Sequence, residues 1–398
     1  MVTGLLVALT VAASNPAASS SQPATSAWAA DEAPFLTRHV QLTFPDRFVR
    51  AGEQYFDHQS PPKWVVFQAI ERPAAGVEPD THYAMFAAEL ARDADGRVTG
   101  LGEAIRLSPP GSANTCGWFH PTSPGTVIFG STITPPESTD SPGYSRDRQR
   151  YSWQFPREME VVSVSGVGSP ATKPASPTAL FSRPGYDAEC SYSADGRFLL
   201  YTHVDPTTND PNIWVYDTRT DRHHALVTAR GYDGGPFFSP DGKWITYRSD
   251  RRGNNVLQLY VAELAFGNDG DPAVPIGVLR EIQLTSEAPG RPEREQAVSW
   301  CPYFHPSGKY VVYATSEVGH HNYEVFALEI DADKPADQLR RSRVTHAAGF
   351  DGLPTFSADG SLMMWTSQRG AKREGEERPS SQMWLAEVVG EPAWTAGK

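Results

Sequence analysis

One pattern of hydrophobic and polar positions recurs along the chain. A run that ends in an aromatic residue is followed by an Asp-Gly or Ser-Gly turn and then by a run of β-branched and aromatic residues. The four clearest copies are CSYSADGRFLLY at 190–201, PFFSPDGKWITY at 236–247, PYFHPSGKYVVY at 302–313 and PTFSADGSLMMW at 354–365. Glycine accepts the positive φ of a tight turn because it has no Cβ. Each copy therefore predicts a β-hairpin.

The same pattern continues on both sides of these hairpins. Two weaker copies precede them, at residues 53–56 with 64–67 and at 117–121 with 127–129. A third strand is predicted in each unit, at residues 83–90, 159–164, 213–217, 257–264, 323–330 and 382–388. A short fourth strand, typically ending in Leu-Thr, is predicted at 105–108, 178–181, 225–228, 282–285 and 343–345. The chain thus contains six units of antiparallel strands.

Six such units predict an all-β fold, a six-bladed β-propeller of four-stranded antiparallel blades, in which each blade packs against its neighbours. The sequence also predicts how the ring closes. A fourth-strand motif, Val-Gln-Leu-Thr at 40–43, lies before the first unit, whereas the sixth unit at 351–388 has none. We therefore expect the N-terminal strand to complete the last blade.

The repeat, with its Phe-Ser-Pro-Asp-Gly-Lys turn and its Gln-Leu-Thr strand, resembles the TolB-type propeller repeat of bacterial envelope proteins. The resemblance covers about residues 40–390, and residues 232–263 are the copy nearest to the consensus. It implies the propeller fold, while such repeats occur in proteins of unrelated activity. The TolB family has an α/β domain ahead of its propeller, and we expect this chain to lack one.

Composition narrows the classes of partner. The chain has 398 residues, with 33 Gly and 34 Pro that fit a protein rich in turns. Its 35 Lys and Arg against 47 Asp and Glu give a net charge of −12, which would repel a nucleic-acid backbone. Beyond the N-terminus there is no apolar run of about 18 residues, so no transmembrane span is expected.

The N-terminal segment has the layout of an export signal. An apolar run at residues 4–13 is followed by an Ala-, Ser- and Pro-rich stretch and by the small-x-small site Ala27-Trp28-Ala29. We predict a signal peptide and low-complexity tail at 1–30, the propeller at 40–390, and a periplasmic or secreted protein. Because no Lys or Arg precedes the apolar run, a flexible tail or a misassigned start remains an alternative.

Acidic residues recur in the loops that connect one blade to the next. Asp187, Asp233 and Asp351 each precede the strand-end aromatic residue by five positions, and Glu53 and Glu189 share a register two positions further on. If the blades are equivalent, these carboxylates form an acidic ring at one mouth of the channel. The ring could bind a cationic ligand, or its members could accept hydrogen bonds from loop N–H groups.

Basic residues are predicted on the same face, in the loops between the second and third strands. They are Arg248, Arg251, Arg252, His320, His321 and Arg369. Guanidinium groups suit bidentate capture of carboxylates, so these residues could bind an acidic ligand or pair with the acidic ring. Neighbouring histidines on a strand make a poor chelate, and we predict no metal and no cofactor. The long loop at 132–157 of the second blade is a candidate lid or docking surface.

The motifs favour a role without catalysis. No Gly-x-Ser-x-Gly, Walker or dinucleotide motif occurs, and the three cysteines cannot form a closed disulfide framework. We predict a monomeric binding or scaffold module of the cell envelope that takes a protein or a small polar ligand at the channel mouth. The alternative is a metal-dependent, oligogalacturonate-type polysaccharide lyase, which has a similar repeat, although no three-His cluster aligns with this chain.

Overall fold

The computed structural model describes residues 27–137, 143–147, 150–169, 174–267, 271 and 273–394. The described chain is nearly all β and begins with a short helix, α1 (Ala27–Glu32), and the strand β1 (Leu36–Gln41). Six antiparallel sheets follow and form the blades of a propeller. Within the described residues, no helix has the length and hydropathy needed to span a membrane.

The first three blades follow in chain order. Blade 1 contains β2 (Phe48–Phe56), β3 (Trp64–Glu71), β4 (Ala84–Arg92), β5 (Val98–Leu101) and β6 (Ile105–Arg106), of which the last two both pair with β4. Blade 2 contains β7 (Asn114–Phe119), β8 (Val127–Ser131), an inserted hairpin of β9 (Gly143–Asp147) and β10 (Arg150–Gln154), then β11 (Glu160–Val164) and β12 (Thr178–Ala179). Blade 3 contains β13 (Tyr186–Tyr192), β14 (Phe198–Val204), β15 (Pro211–Asp217) and β16 (Arg222–Val227).

The last three blades repeat this order. Blade 4 contains β17 (Asp233–Phe238), β18 (Trp244–Ser249), β19 (Gln258–Phe266) and β20 (Pro275–Gln283). Blade 5 contains β21 (Ser299–Phe304), β22 (Tyr310–Thr315), β23 (Glu324–Glu329) and β24 (Arg341–Arg343). Blade 6 contains β25 (Asp351–Phe356), β26 (Leu362–Ser367) and β27 (Gln382–Val388). Single 3₁₀ turns lie at Glu293–Glu295 and Ala336–Gln338.

The N-terminal strand closes the ring, as the sequence predicts. β1 pairs antiparallel with β27, with Val40 opposite Leu385 and Gln41 opposite Trp384, and it supplies the fourth strand of blade 6. The strand begins at Leu36, four residues before the predicted motif, and Leu36 is fully buried. The predicted fold class is therefore confirmed.

Side-chain hydrogen bonds explain the Ser-x-Asp-Gly turn of the repeat. In blade 4 the Ser239 hydroxyl donates to Asp241 Oδ1 (2.6 Å) and accepts from the Trp244 N–H (2.9 Å). The turns at Ser193 and Ser357 have the same two contacts. These bonds hold the hairpin that connects the first two strands of each of these blades.

Hydrogen bonding also explains why the fourth strand ends in Leu-Thr. The hydroxyl of Thr285 accepts from the Leu259 N–H (2.9 Å) at the start of the third strand of its blade. Thr345 accepts in the same way from Val325, and Thr43 from Met383. The N-terminal copy of the motif therefore performs in blade 6 the role that the other copies perform in their own blades.

Candidate functional site

A β-bulge interrupts the innermost strand of every blade at the same place. Each bulge contains one residue in the left-handed region, with φ between 45° and 60°; these are Glu53, Cys116, Glu189, Gly235, Cys301 and Leu353. A bulge redirects the side chain that it carries. The six positions come together around the central channel, and we call them the bulge ring.

Neighbouring members of the bulge ring are in contact. The Cys116 thiol donates to Glu53 Oε1 (2.7 Å), and the Leu353 N–H donates to the Cys301 sulfur (3.3 Å). Glu189 Oε2 accepts from Thr202 Oγ1 (2.8 Å), the Tyr232 hydroxyl (2.7 Å) and the Gly235 N–H (2.7 Å). Polar contacts thus join three pairs of ring members, and the ring contains two carboxylates.

Blade 4 supplies a cation to the ring from its second strand. A Cβ at Gly235 would lie 2.3 Å from Arg248 Nη1, so the guanidinium occupies the space that a bulge side chain would need. Arg248 Nη2 lies 3.2 Å from Glu189 Oε1, and both side chains are buried. Glycine at this position therefore allows an ion pair in the channel.

Four members of the bulge ring form the floor of a cavity of about 390 Å³ that opens at the channel mouth; they are Glu53, Cys116, Glu189 and Leu353. Its wall includes the aromatic side chains of Tyr83, Tyr186, Trp300, Tyr323 and Phe350. Exposed or half-buried His320, His321 and Arg378 also line it. Polar and aromatic groups together make a site that could orient a small ligand.

Below the floor, four aromatic rings fill the channel. Tyr55, Trp118, Phe237 and Tyr303 each follow a bulge residue by two positions, and their ring centroids lie 5.1 to 6.4 Å apart. Tyr55 and Trp118 are buried. The cavity is therefore a cup closed at its base by this aromatic plug.

Burial controls the titration of the cup. It raises the pKa of Glu53, although the Cys116 thiol and the charge of Arg248 oppose that rise. Burial also raises the pKa of the Cys301 thiol to about 12 and that of the Cys116 thiol well above its usual range. Both thiols are thus protonated at neutral pH and are poor nucleophiles.

The three predicted loop aspartates are buried inside their own blades. Asp187 Oδ1 lies 2.7 Å from His203 Nδ1, and Asp233 Oδ2 accepts from the Ala229 N–H (3.0 Å). Asp351 Oδ2 accepts from Arg369 Nη2 (2.7 Å). None of these aspartates lines the cup. Asp233 thus accepts a hydrogen bond from a loop N–H group, whereas Asp187 and Asp351 contact side chains of their own blades instead.

The predicted cations divide into two groups. Arg251 pairs with Glu281, Arg252 pairs with Glu287 (2.9 Å), and the fully buried Arg369 pairs with Glu32 and Asp351. Arg248, His320 and His321 line the cup together with Glu53 and Glu189, so the structure brings five of the eleven predicted residues to one cavity. Within the described residues, no group of three His, Cys, Asp or Glu side chains is placed to hold a metal ion.

Sequence reasoning did not assign the aromatic wall or the role of Gly235. Cys116 and Cys301 share the register of Glu53 and Glu189, which is a signal for the bulge ring that the sequence does contain. The predicted lid of blade 2 includes the hairpin β9–β10, and residues 138–142 and 148–149 of that loop lie outside the described residues. Its end is described: the Phe155 ring packs 5.0 Å from Tyr186, beside the cup.

Comparison with known proteins gives partial matches. No protein-family model matches the chain. The chain is 29% identical over 181 residues to the Tol-Pal system protein TolB of Wolinella succinogenes, covering 45% of this chain and 36% of that protein. It is 33% identical over 87 residues to dipeptidyl-peptidase 5 of Porphyromonas gingivalis, covering 19% of this chain and 13% of that protein.

One solved structure aligns with most of the chain. TolB from Acinetobacter baumannii aligns with a TM-score of 0.48 and 16% identity, over 83% of this chain and 65% of that chain. In sequence, this chain spans well under half the length of the two curated relatives that it matches.

Proposed function

We propose that this TolB-like propeller protein is a non-catalytic binding module of the cell envelope and that the cup receives its partner. The observation that carries the proposal is the closed cup itself, in which two carboxylates, a guanidinium and an aromatic wall converge at the channel mouth. The match to a protein named as part of the Tol-Pal system supports an envelope partner. The protonated thiols give no support to nucleophilic catalysis.

The proposed location is the periplasm or the exterior of the cell. Its support is the apolar segment and small-residue site before residue 30, of which residues 1–26 lie outside the described residues. Fractionation of cells that express the full chain tests this part of the proposal. Recovery of the protein in the cytoplasmic fraction alone would contradict it.

Charge reversal at the rim of the cup tests the binding role. Arg378 is exposed and lines the cup, whereas Lys309 is exposed and follows the Ser-Gly turn of blade 5 on the opposite face. We expect Arg378→Glu with His321→Glu to reduce cross-linking to an envelope protein, and Lys309→Glu to leave it unchanged. Cross-linking with mass spectrometry identifies the partner and the linked residues. Cross-links confined to the face that carries Lys309 would contradict the proposal.

A further inference from the structure

Three aromatic side chains form one wall of the cup. Trp300, Tyr323 and Phe350 come from blades 5 and 6, and their ring centroids lie 5.7 to 6.3 Å apart. Trp300 and Phe350 remain half-exposed to the cavity. Aromatic faces of this kind attract organic cations, most strongly where water is excluded.

Glu53 provides a carboxylate on the floor beneath this wall. Among the described residues, its carboxylate accepts hydrogen bonds from the Cys116 thiol (2.7 Å) and Thr115 Oγ1 (3.4 Å), both of them neutral donors. A carboxylate has about four acceptor sites, so it can accept further donors. Glu53 therefore has hydrogen-bonding capacity left for a ligand, and a cation bound there would favour the ionised form that burial opposes.

The other charges of the floor are already engaged. Glu189 accepts three hydrogen bonds and lies 3.2 Å from Arg248. The Arg248 guanidinium in turn packs against Gly235. An anionic ligand would have to separate this buried ion pair, which is costly. A cationic ligand can contact Glu53 without disturbing it. On the floor of the cup, below Arg378 at its rim, the arrangement of charges thus favours a positively charged group.

We infer that the cup binds a small organic amine, with the ammonium group on Glu53 and an apolar or aromatic body against Trp300, Tyr323 and Phe350. The inference rests on the proposed function, because it concerns the same cavity. A volume of about 390 Å³ lies within the range of sites for small molecules. The ammonium donates to the free acceptor sites of Glu53, and the aromatic plug closes the base below the ligand.

Calorimetric titration of the full chain with phenethylamine tests the inference, with 2-phenylethanol as the uncharged analogue. We expect saturable binding of the amine and binding of the alcohol that is weaker by roughly tenfold or more. Glu53→Gln keeps the size of the side chain and removes its charge, so it should weaken amine binding by a similar factor. Glu89→Gln, at an exposed ion pair with Lys63, is the matched control and should bind as the wild type does.

A second variant guards against a folding defect in Glu53→Gln. Trp300→Leu removes part of the wall and leaves the floor intact. It should therefore weaken amine binding, while the melting temperature stays near that of the wild type. Absence of saturable amine binding by the wild type, equal binding of amine and alcohol, or unchanged binding by both variants would overturn the inference. If the amine inference fails in this way but cross-linking to an envelope partner is still observed, the proposed function stands. Amine binding without any partner would contradict the protein-partner role alone.

Discussion

The space above Gly235 shows how a single residue determines the charge pattern of the channel. Gly235 has φ +60°, and a Cβ there would meet Arg248 Nη1 at 2.3 Å. Gly235→Ala should push the guanidinium away from Glu189 and leave a buried carboxylate without its cation. We expect the free energy of unfolding to fall by about 3 kcal/mol, as measured by urea denaturation.

Gly253→Ala is the control for this substitution. Gly253 has φ +69° but no atom within 4 Å of an added Cβ, so only backbone strain of about 1–2 kcal/mol applies. Equal losses of unfolding free energy for the two variants would mean that Arg248 moves without cost and that its ion pair with Glu189 contributes little to stability.

Glu324 should make stability depend on pH. Burial, with the carboxylate of Asp351 nearby, raises the pKa of Glu324 to about 8, whereas a glutamate in an unfolded chain titrates near about 4.3. Between these values the folded protein holds a proton that the unfolded chain has released, so raising the pH favours unfolding. Relative to Glu324→Gln, the wild type should lose roughly 2–4 kcal/mol of stability between about pH 5 and pH 8.5.

Urea denaturation across this pH range measures the difference between the two proteins. Glu317→Gln, which removes an exposed partner of Arg341, provides the control. Its free energy of unfolding should change with pH in parallel with that of the wild type. A Glu324→Gln curve that also runs parallel to the wild type would show that Glu324 ionises equally in the folded and unfolded states.

At the scale of elements, the strand β1 holds the two ends of the ring together. Its Leu36 is fully buried in a cluster with Tyr310 and Trp365, which joins blades 5 and 6. Leu36→Ala should cost about 2–5 kcal/mol through lost burial and the resulting cavity. Thr37→Ala, on the half-buried side of the same strand, should cost less than about 1 kcal/mol. Denaturant unfolding of both variants measures this, and similar small losses would indicate that the closing strand is dispensable.

The sequence predicts the elements well where the signal is local. The Ser239-to-Asp241 turn and the hydroxyl of Thr285 form hydrogen bonds within a single blade. Their motifs can therefore be recognised in one copy of the repeat. The β-bulge is different, because one extra residue on a strand reverses the side-chain alternation without altering the hydrophobic pattern. For this reason Asp187 and Glu189 appear equivalent in sequence, yet only Glu189 lines the cup.

Contacts between residues that are far apart in the chain are harder to predict from sequence. Arg369 joins Glu32 to Asp351, although Glu32 lies more than three hundred residues away in the chain. Trp28 stacks near the same guanidinium, at 4.2 Å from its ring centre. The repeat predicts that such residues lie near the closure, but their pairing depends on side-chain directions that the repeat does not encode.

At the scale of the whole molecule, the aromatic plug distinguishes this ring from an open repeat array. In a solenoid each repeat contacts only its neighbours. Here Trp118 of blade 2 and Phe237 of blade 4 lie 5.4 Å apart across the axis, with blade 3 between them in the ring. The plug therefore connects blades that share no strand pairing, and their stabilities should be coupled directly.

A double-mutant cycle with Trp118→Leu and Phe237→Leu measures that coupling. Because aromatic pairs contribute about 0.5–1.5 kcal/mol beyond their burial, we expect a coupling energy of this size in urea denaturation. Trp118→Leu with Phe326→Leu is the control. Phe326 packs beside Tyr313 in a separate cluster between blades 4 and 5, so the two losses of stability should add. Coupling no larger than in the control would mean that the blades are held together only by their neighbours. Coupling as expected would mean that the aromatic rings at the base of the cup also join blades that are not neighbours. The base of the binding site and the stability of the propeller would then depend on some of the same side chains.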